Sequence, residues 1–452
     1  MRDFETLRGG AMEDAARKAR AASQVLAGLP TEKKNKALEA FKRELLGRRA
    51  EIEAANKQDR EDAEAAVKDG NLSASLYKRL DVSGAKFDTL LKGIDDVINL
   101  PDPVGTVTYA NRVSEGLDLY RVTCPIGVLL IIFEARPEAA VQIATLAIKS
   151  GNALLLKGGR EAQRSNAALV GAMAAALSEV GMPEGCIQGI DTRTEVAELL
   201  KLDQYIDLVI PRGSNALVRS IKDASRIPVL GHADGICAVY VDEHADLDKA
   251  VKVCVDSKTQ YAAACNAMET LLVHEKVKGD FLPRLATGLA SKDCRFKADT
   301  DCAPLLPAES TEEATEADFD EEFLCHTMAV RAVPSADAAI EHINLHGSHH
   351  TDSIVTESRE VAEAFLRRVD SAGVFHNAST RFADGFRFGF GAEVGISTNR
   401  VHARGPVGLE GLVVYKYRLY GDGHTVAEFS GPEPKRRFVH EKLDGFARVE
   451  DV

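Results

Sequence analysis

Residues 126–223 alternate between apolar runs of strand length and helix-like stretches, and this rhythm limits the fold more than any other feature. The runs at 127–133, 152–157, 187–190 and 206–210 are separated by helical patterns at 139–149, 166–180, 195–201 and 214–223. Strands that are apolar throughout, rather than on alternate residues, are buried on both faces. Helices between them then cover a parallel sheet, and right-handed crossovers make it doubly wound. Open parallel sheets bind ligands beyond the carboxyl ends of their strands, so the segments that follow each strand are the first places to look for chemistry.

The flanking regions differ. Residues 12–100 read as helices: Phe87, Leu90, Leu91, Ile94, Val97 and Ile98 form one apolar stripe, and Leu38, Phe41 and Leu45 form another after a helix start at Pro30-Thr31-Glu32. Residues 106–122 suggest two strands joined by a polar turn, which serve equally well as a plain surface hairpin or an oligomer contact. A second α/β region begins near Pro228, with strands at 236–241, 270–274, 328–333 and 352–356 and helices at 247–258, 336–344 and 361–369. Residues 295–322 read as an acidic loop, 384–411 as glycine-rich loops, 412–417 as a late strand and the tail after Gly421 as partly disordered.

The charge balance removes several classes of function. With 452 residues and a net charge of −13, the chain is not built to coat nucleic acid, which requires clustered Lys and Arg. No apolar run approaches the ~20 residues of a membrane span, and Met1–Gly10 has no signal-peptide core. The eight cysteines, at 124, 186, 237, 254, 265, 294, 302 and 325, form no CxxC pair and no zinc spacing with histidine. Reduced thiols in a cytoplasmic protein without a metal are the expectation.

Four places carry candidate chemistry. Cys265, in Tyr261-Ala-Ala-Ala-Cys-Asn-Ala-Met, lies in a loop before a strand, where small neighbours let a ligand approach the sulfur and the backbone N–H groups. On these residues alone a buried structural cysteine is the better account. Arg136, after the strand at 127–133, suits a carboxylate or phosphate and equally suits an ion pair with Glu134 or Glu138. Lys157-Gly-Gly-Arg160 places cations where dinucleotide folds put an acid against the adenosine ribose, which points to NADPH, although Glu161 works against this and a solvated basic turn explains it more simply. Pro211-Arg-Gly-Ser214 opens a helix and offers either a phosphate seat or an ordinary N-cap.

Taken together, the long motifs resemble one family. They are Pro125-Ile-Gly-Val-Leu-Leu-Ile-Ile-Phe-Glu-Ala-Arg-Pro137, Lys157-Gly-Gly, Ile210-Pro-Arg-Gly-Ser-Asn215, Cys265-Asn-Ala-Met-Glu-Thr270, Glu341-His-Ile-Asn-Leu-His-Gly-Ser-His-His-Thr-Asp352, Asn377-Ala-Ser-Thr-Arg-Phe382 and His402-Ala-Arg-Gly-Pro-Val-Gly-Leu-Glu410. In this order, over residues 12–418, they resemble the gamma-glutamyl phosphate reductases, a branch of the aldehyde dehydrogenase superfamily.

The resemblance implies an aldehyde dehydrogenase-like α/β fold. Residues 1–105 and 122–229 would bind NADPH, 230–405 would be catalytic, 106–121 and 406–420 would form a β flap for homo-oligomerisation, and 421–452 would be a tail. It implies reduction of gamma-glutamyl phosphate to glutamate semialdehyde with release of phosphate, the second step of proline synthesis. Cys265 falls on the nucleophile, and Lys157, Gly158, Ser214 and Glu322 on cofactor positions. Arg136, Arg381, Arg404 and Asn266 are the substrate-side candidates, with Asn266 a stand-in for the oxyanion asparagine that Ala135 replaces. Leu230 aligns with the glutamate that activates water in ordinary aldehyde dehydrogenases, so the thioester would be kept for hydride. The rivals are an aldehyde-oxidising dehydrogenase and a silent scaffold, for example for the glutamate 5-kinase of the preceding step, which is also a possible partner of an active enzyme.

Overall fold

The computed structural model describes residues 10–70, 74–190, 193–231 and 234–451. Strands Val128–Phe133, Ala153–Lys157, Ile187–Gly189 and Leu208–Arg212 form a parallel sheet. Counted along the chain, their spatial order is third, second, first, fourth. The winding direction reverses between Val128–Phe133 and Leu208–Arg212, so a crevice opens where the loops after these two strands part. The first strand is buried at all six positions, as its unbroken apolar run requires. Helices Ala11–Leu26, Thr31–Gly47, Pro137–Lys149, Gln163–Glu179 and Ala85–Asn99 share one core with this sheet, and the stripe Phe87, Leu90, Leu91, Ile94 and Val97 is buried in it.

The second sheet has seven strands, in the order Thr311–Glu313, Arg295–Ala298, Thr327–Val333, Met268–His274, Cys237–Val241, Thr351–Val355 and Gly373–His376, all parallel. Two of its strands, Thr311–Glu313 at the edge and Arg295–Ala298 beside it, lie in the segment expected to be an acidic loop. Arg295 and Lys297 alternate with Phe296 and Ala298, a half-solvated edge pattern that the acidic stretch around it obscures. Helix Lys278–Leu289 was not expected either, because Pro283 interrupts its pattern. Between the glycines of 384–411, Gly395–Ser397 and Gly405–Val407 pair as a small antiparallel ribbon.

The expected hairpin forms from Val107–Ser114 and Leu117–Pro125, and Val413–Tyr420 joins its second strand in antiparallel register. The tail departs from expectation. Glu441–Lys442 pairs with Val107–Ser114, the Val107 N–H donates to the Ala447 carbonyl (2.9 Å), and Arg448 donates to the Asp102 carbonyl (2.7 Å). Leu443, Phe446 and Val449 pack on Ala110, Tyr120 and Val122. Apolar residues spaced three apart on an otherwise polar chain leave no strand or helix period to read, so only the surface they cover reveals their use.

Candidate active site

The two sheets present opposite ends to each other. Arg136 and Arg212 stand at the carboxyl end of the four-stranded sheet, on either side of its winding reversal. Gly235, Cys265, Glu322 and His350 all precede strands of the seven-stranded sheet and so lie at its amino end. Segments after strands were therefore the right places to look on the first sheet and the wrong ones on the second.

Cys265 sits in the turn between helix Leu247–Thr259 and strand Met268–His274. The turn is tied from several sides. A Cβ at Gly235 would come within 2.0 Å of the Cys265 carbonyl oxygen, so only glycine permits this backbone approach. The Cys237 thiol donates to the same carbonyl at 3.3 Å, with His350 Nδ1 3.7 Å beyond that sulfur. His350 is fully buried and belongs to this support. A buried ion pair, Lys258 to Glu269 at 2.5 Å, joins the helix end to the strand, and Glu269 also accepts from the Leu324 N–H (3.3 Å). The sulfur is thus held on fixed elements, as a nucleophile must be.

Burial pushes the half-buried Cys265 thiol up to about 12; Glu322 and Glu393 add to this, and Arg136 and Arg212 oppose it. Burial raises Cys186 to about 12 as well, with no charged group acting on it, whereas charges of both signs act on Cys265. The Leu230 argument needs correction here. Leu230 is packed in the core of the first sheet, and two half-buried carboxyl groups, Glu322 and Glu393, lie within electrostatic reach of the sulfur. Burial pushes Glu322 up to about 7, partly offset by a hydrogen bond from the Gly235 N–H.

Three guanidinium groups lie within electrostatic range of this sulfur. Arg136 and Arg212 act on its charge, and Arg381, buried in the short helix Thr380–Phe382, acts with them while donating from Nε to Gln260 (2.9 Å). Among the described residues no group accepts a hydrogen bond from the Arg136 side chain, whose charge also acts on Glu138 and Glu393. Arg212 meets Glu393 at 3.6 Å. Its part was missed in the sequence, where its neighbour Ser214 drew attention instead; its place as the last residue of a strand was the available signal. Arg404 does not join them: it donates to Asp370 Oδ1 (3.0 Å) and to the Asp370 carbonyl (2.9 Å). Asn266 is buried beside Cys265, with Nδ2 donating to the Ala383 carbonyl at 2.8 Å, so one of the donors proposed for an oxyanion is already engaged.

Two cavities flank these groups. One, of about 760 Å³, lies against the Cys265 turn and is lined by Lys78, Arg79, Glu138, Tyr261, Ala263 and His326, among others. One carboxylate oxygen of Glu138 is buried there without a hydrogen-bond partner among the described residues. The other cavity, of about 300 Å³, lies at the carboxyl end of the four-stranded sheet and includes Gly158, Arg160 and Asn166. No carboxylate is among its described lining residues; the Glu161 carboxylate accepts from the Ala135 N–H. Ala135 itself has φ +45°, a strained conformation for a residue with a Cβ.

This smaller cavity fits the adenosine end of a dinucleotide, being apolar on Phe133, Leu156 and Ile190 and having no carboxylate among its described lining residues. Other expected cofactor residues stand differently. Lys157 is buried, with its ammonium on the Gly158 carbonyl rather than in the cavity. The Ser214 N–H donates to Glu134 Oε2 at 2.9 Å, so a carboxylate already fills the helix N-terminus expected to seat a phosphate.

The comparisons with known proteins agree with this arrangement. The aldehyde dehydrogenase family model matches residues 3–318. The gamma-glutamyl phosphate reductase of Pelotomaculum thermopropionicum is 51% identical over 433 residues, 96% of this chain and 98% of its own length. That of Acetivibrio thermocellus is 51% identical over 423 residues, covering 94% and 96%. The crystal structure of gamma-glutamyl phosphate reductase from Thermotoga maritima superposes with a TM-score of 0.87 at 41% identity, over 92% of this chain and 99% of that one. An acetylating aldehyde dehydrogenase from Geobacillus thermoglucosidasius shares the fold at a TM-score of 0.63 and 20% identity. By sequence and by fold, the chain belongs to the aldehyde dehydrogenase family and, within it, to the gamma-glutamyl phosphate reductases.

Proposed function

We propose that the protein reduces gamma-glutamyl phosphate to glutamate 5-semialdehyde with NADPH, releasing phosphate, in proline biosynthesis. The observation that carries this reading is the placing of Arg136, Arg212 and Arg381 within electrostatic range of Cys265, a nucleophile set among cations suited to a phosphorylated carboxylic acid. The Cys265 thiolate attacks the γ-carbonyl carbon, the carbonyl–oxygen bond to phosphate breaks, and a thioester on Cys265 remains. Arg136, whose side chain donates to no described group, holds the departing phosphate or the substrate α-carboxylate. The dinucleotide supplies the hydride that reduces the thioester, and the carbon–sulfur bond then breaks to give the aldehyde and return the thiolate.

Preference for the phosphorylated cofactor is supported by Arg160 at the rim of the smaller cavity and by the Glu161 carboxylate being engaged by the Ala135 N–H. The three main sheets support division into cofactor domain, catalytic domain and flap. Tyr415, Tyr417 and Leu419, exposed on the edge strand of the flap, support self-association there. No helix among the described residues is long and apolar enough to cross a membrane. The reverse reaction tests the whole reading: glutamate semialdehyde should reduce NADP+ only when phosphate is present. Reduction at the same rate without phosphate would instead mark an aldehyde-oxidising dehydrogenase.

A further inference from the structure

Arg79 ends the short helix Ala74–Arg79, in the helical stretch that precedes the four-stranded sheet, and its side chain reaches the turn that carries Cys265. Its Nε and Nη2 donate to the Tyr261 hydroxyl at 3.1 and 2.9 Å, and Nη2 also donates to the Ala263 carbonyl at 3.2 Å. The base of this reach is fixed. The next residue, Leu80, is buried with Ala63, Ala135 and Ala162. The buried Asn56 donates to the Leu80 carbonyl (2.7 Å) and accepts from the Val82 N–H (3.2 Å). Two guanidinium groups lie over the Tyr261 ring, with Cζ of Arg79 5.6 Å and Cζ of Arg381 6.0 Å from its centroid. The ties on the Cys265 turn described above, through Gly235, Cys237 and the Lys258–Glu269 pair, all come from the half built on the seven-stranded sheet. Arg79 holds the turn from the opposite half.

We propose that Arg79 is a positioning residue that sets the Cys265 turn in register with the groups on the four-stranded sheet. This rests on the reading of Cys265 as the nucleophile. Arg136 and Arg212 stand on one half and the sulfur on the other, so their separation depends on how the two halves meet. A misplacement of about 1 Å in a reacting group can cost about 100-fold in rate, and a fixed crossing contact removes that freedom. A guanidinium suits the crossing because its rigid fork donates to a hydroxyl and a carbonyl together. Through the Tyr261 ring the same contact braces Arg381, one of the cations acting on the sulfur. Arg79, Tyr261 and Ala263 belong to the wall of the cavity of about 760 Å³ and not to a hydrophobic core, so loss of the contact should cost little stability.

The test follows phosphate-dependent NADP+ reduction by glutamate semialdehyde with the full-length protein, giving kcat and each KM, alongside the melting temperature. Arg79→Ala should lower kcat about tenfold or more and leave the KM for semialdehyde, phosphate and NADP+ within about threefold. Its melting temperature should stay within about 3 °C of wild type. Binding of adenosine 2′,5′-bisphosphate, which carries the cofactor's adenosine and 2′-phosphate without nicotinamide, should stay within about twofold. Tyr261→Phe removes the shared hydroxyl and keeps the ring, so kcat should fall less, about threefold. The double variant should be no slower than Arg79→Ala alone, because both residues act through one contact. A kcat within about twofold of wild type in Arg79→Ala, or losses that multiply in the double variant, would overturn the proposal. So would a loss confined to KM, which would make Arg79 a direct substrate ligand, or a loss of kcat with a markedly lower melting temperature, which would make it structural. If the wild type shows no phosphate-dependent reduction, the reading of the site itself falls; if the wild type is active and Arg79→Ala equally so, only the role of Arg79 falls.

Discussion

The two parallel sheets are built by the same rule and used in opposite ways. The four-stranded sheet offers its carboxyl end, where Arg136 and Gly158 follow strands and Arg212 ends one, beside a cavity with no carboxylate among its described lining residues. The seven-stranded sheet offers its amino end, where Gly235, Cys265 and Glu322 stand before their strands. The difference is physical. Loops after parallel strands, at a reversal of winding, part to leave room for a large ligand. Turns entering strands are anchored by the next strand residue, and here also by the Lys258–Glu269 pair and the Gly235 contact, so they hold one atom in place. One end accommodates; the other aims.

Breaking the aimed end should have the largest effect. Cys265→Ser should lower phosphate-dependent NADP+ reduction by about 10³-fold or more while leaving binding of adenosine 2′,5′-bisphosphate within twofold. Equal loss of both would mean that the two ends are not separable. Arg136 joins them from the accommodating side. Arg136→Ala should raise the KM for phosphate and semialdehyde about 10–100-fold and that for the nucleotide far less. It should also slow alkylation of Cys265 by iodoacetamide, because a cation that opposes the raised thiol pKa is lost.

The smallest effect concerns Glu322. The Glu322→Gln variant removes an anion that holds the Cys265 thiol up, so alkylation at pH 8 should quicken several-fold. The same substitution gives a stability signature. Glu322 is raised from 4.5 to about 7 in the folded protein, so the folded state binds more protons than the unfolded state between those values. Wild-type stability should therefore fall as pH rises from about 4.5 to about 7, and the glutamine variant should fall less over that window. Parallel pH profiles for the two proteins would show that burial does not raise Glu322.

Much of the fold was legible because burial on both faces writes an unbroken apolar run, as in Val128–Phe133 and Ala153–Lys157. Edges and coverings write no such run. Strand Arg295–Ala298 is half charged, and the tail residues Leu443, Phe446 and Val449 have meaning only against Tyr120 and Val122. The active site divides in the same way. Cys265, Arg136 and Arg381 were named from their motifs, and both arginines act electrostatically on the sulfur, whereas Arg404 was named from its motif and is held by Asp370 instead. Ser214 was read as a free helix N-terminus, and its partner Glu134, 80 residues earlier, could be found only in space.

The sequence by itself determined that there is a covered parallel sheet, that the family motifs run in order, and that one cysteine among eight follows a stretch of small residues. These depend on local periodicity and on residue identity. Tertiary structure alone decided which charges surround that cysteine. Arg212 ends a strand of the four-stranded sheet and Arg381 lies in a short helix elsewhere, Glu322 and Glu393 oppose them, and Leu230 withdraws into the core. Electrostatic energy depends on distance through space and on burial, and neither is a property of spacing along the chain.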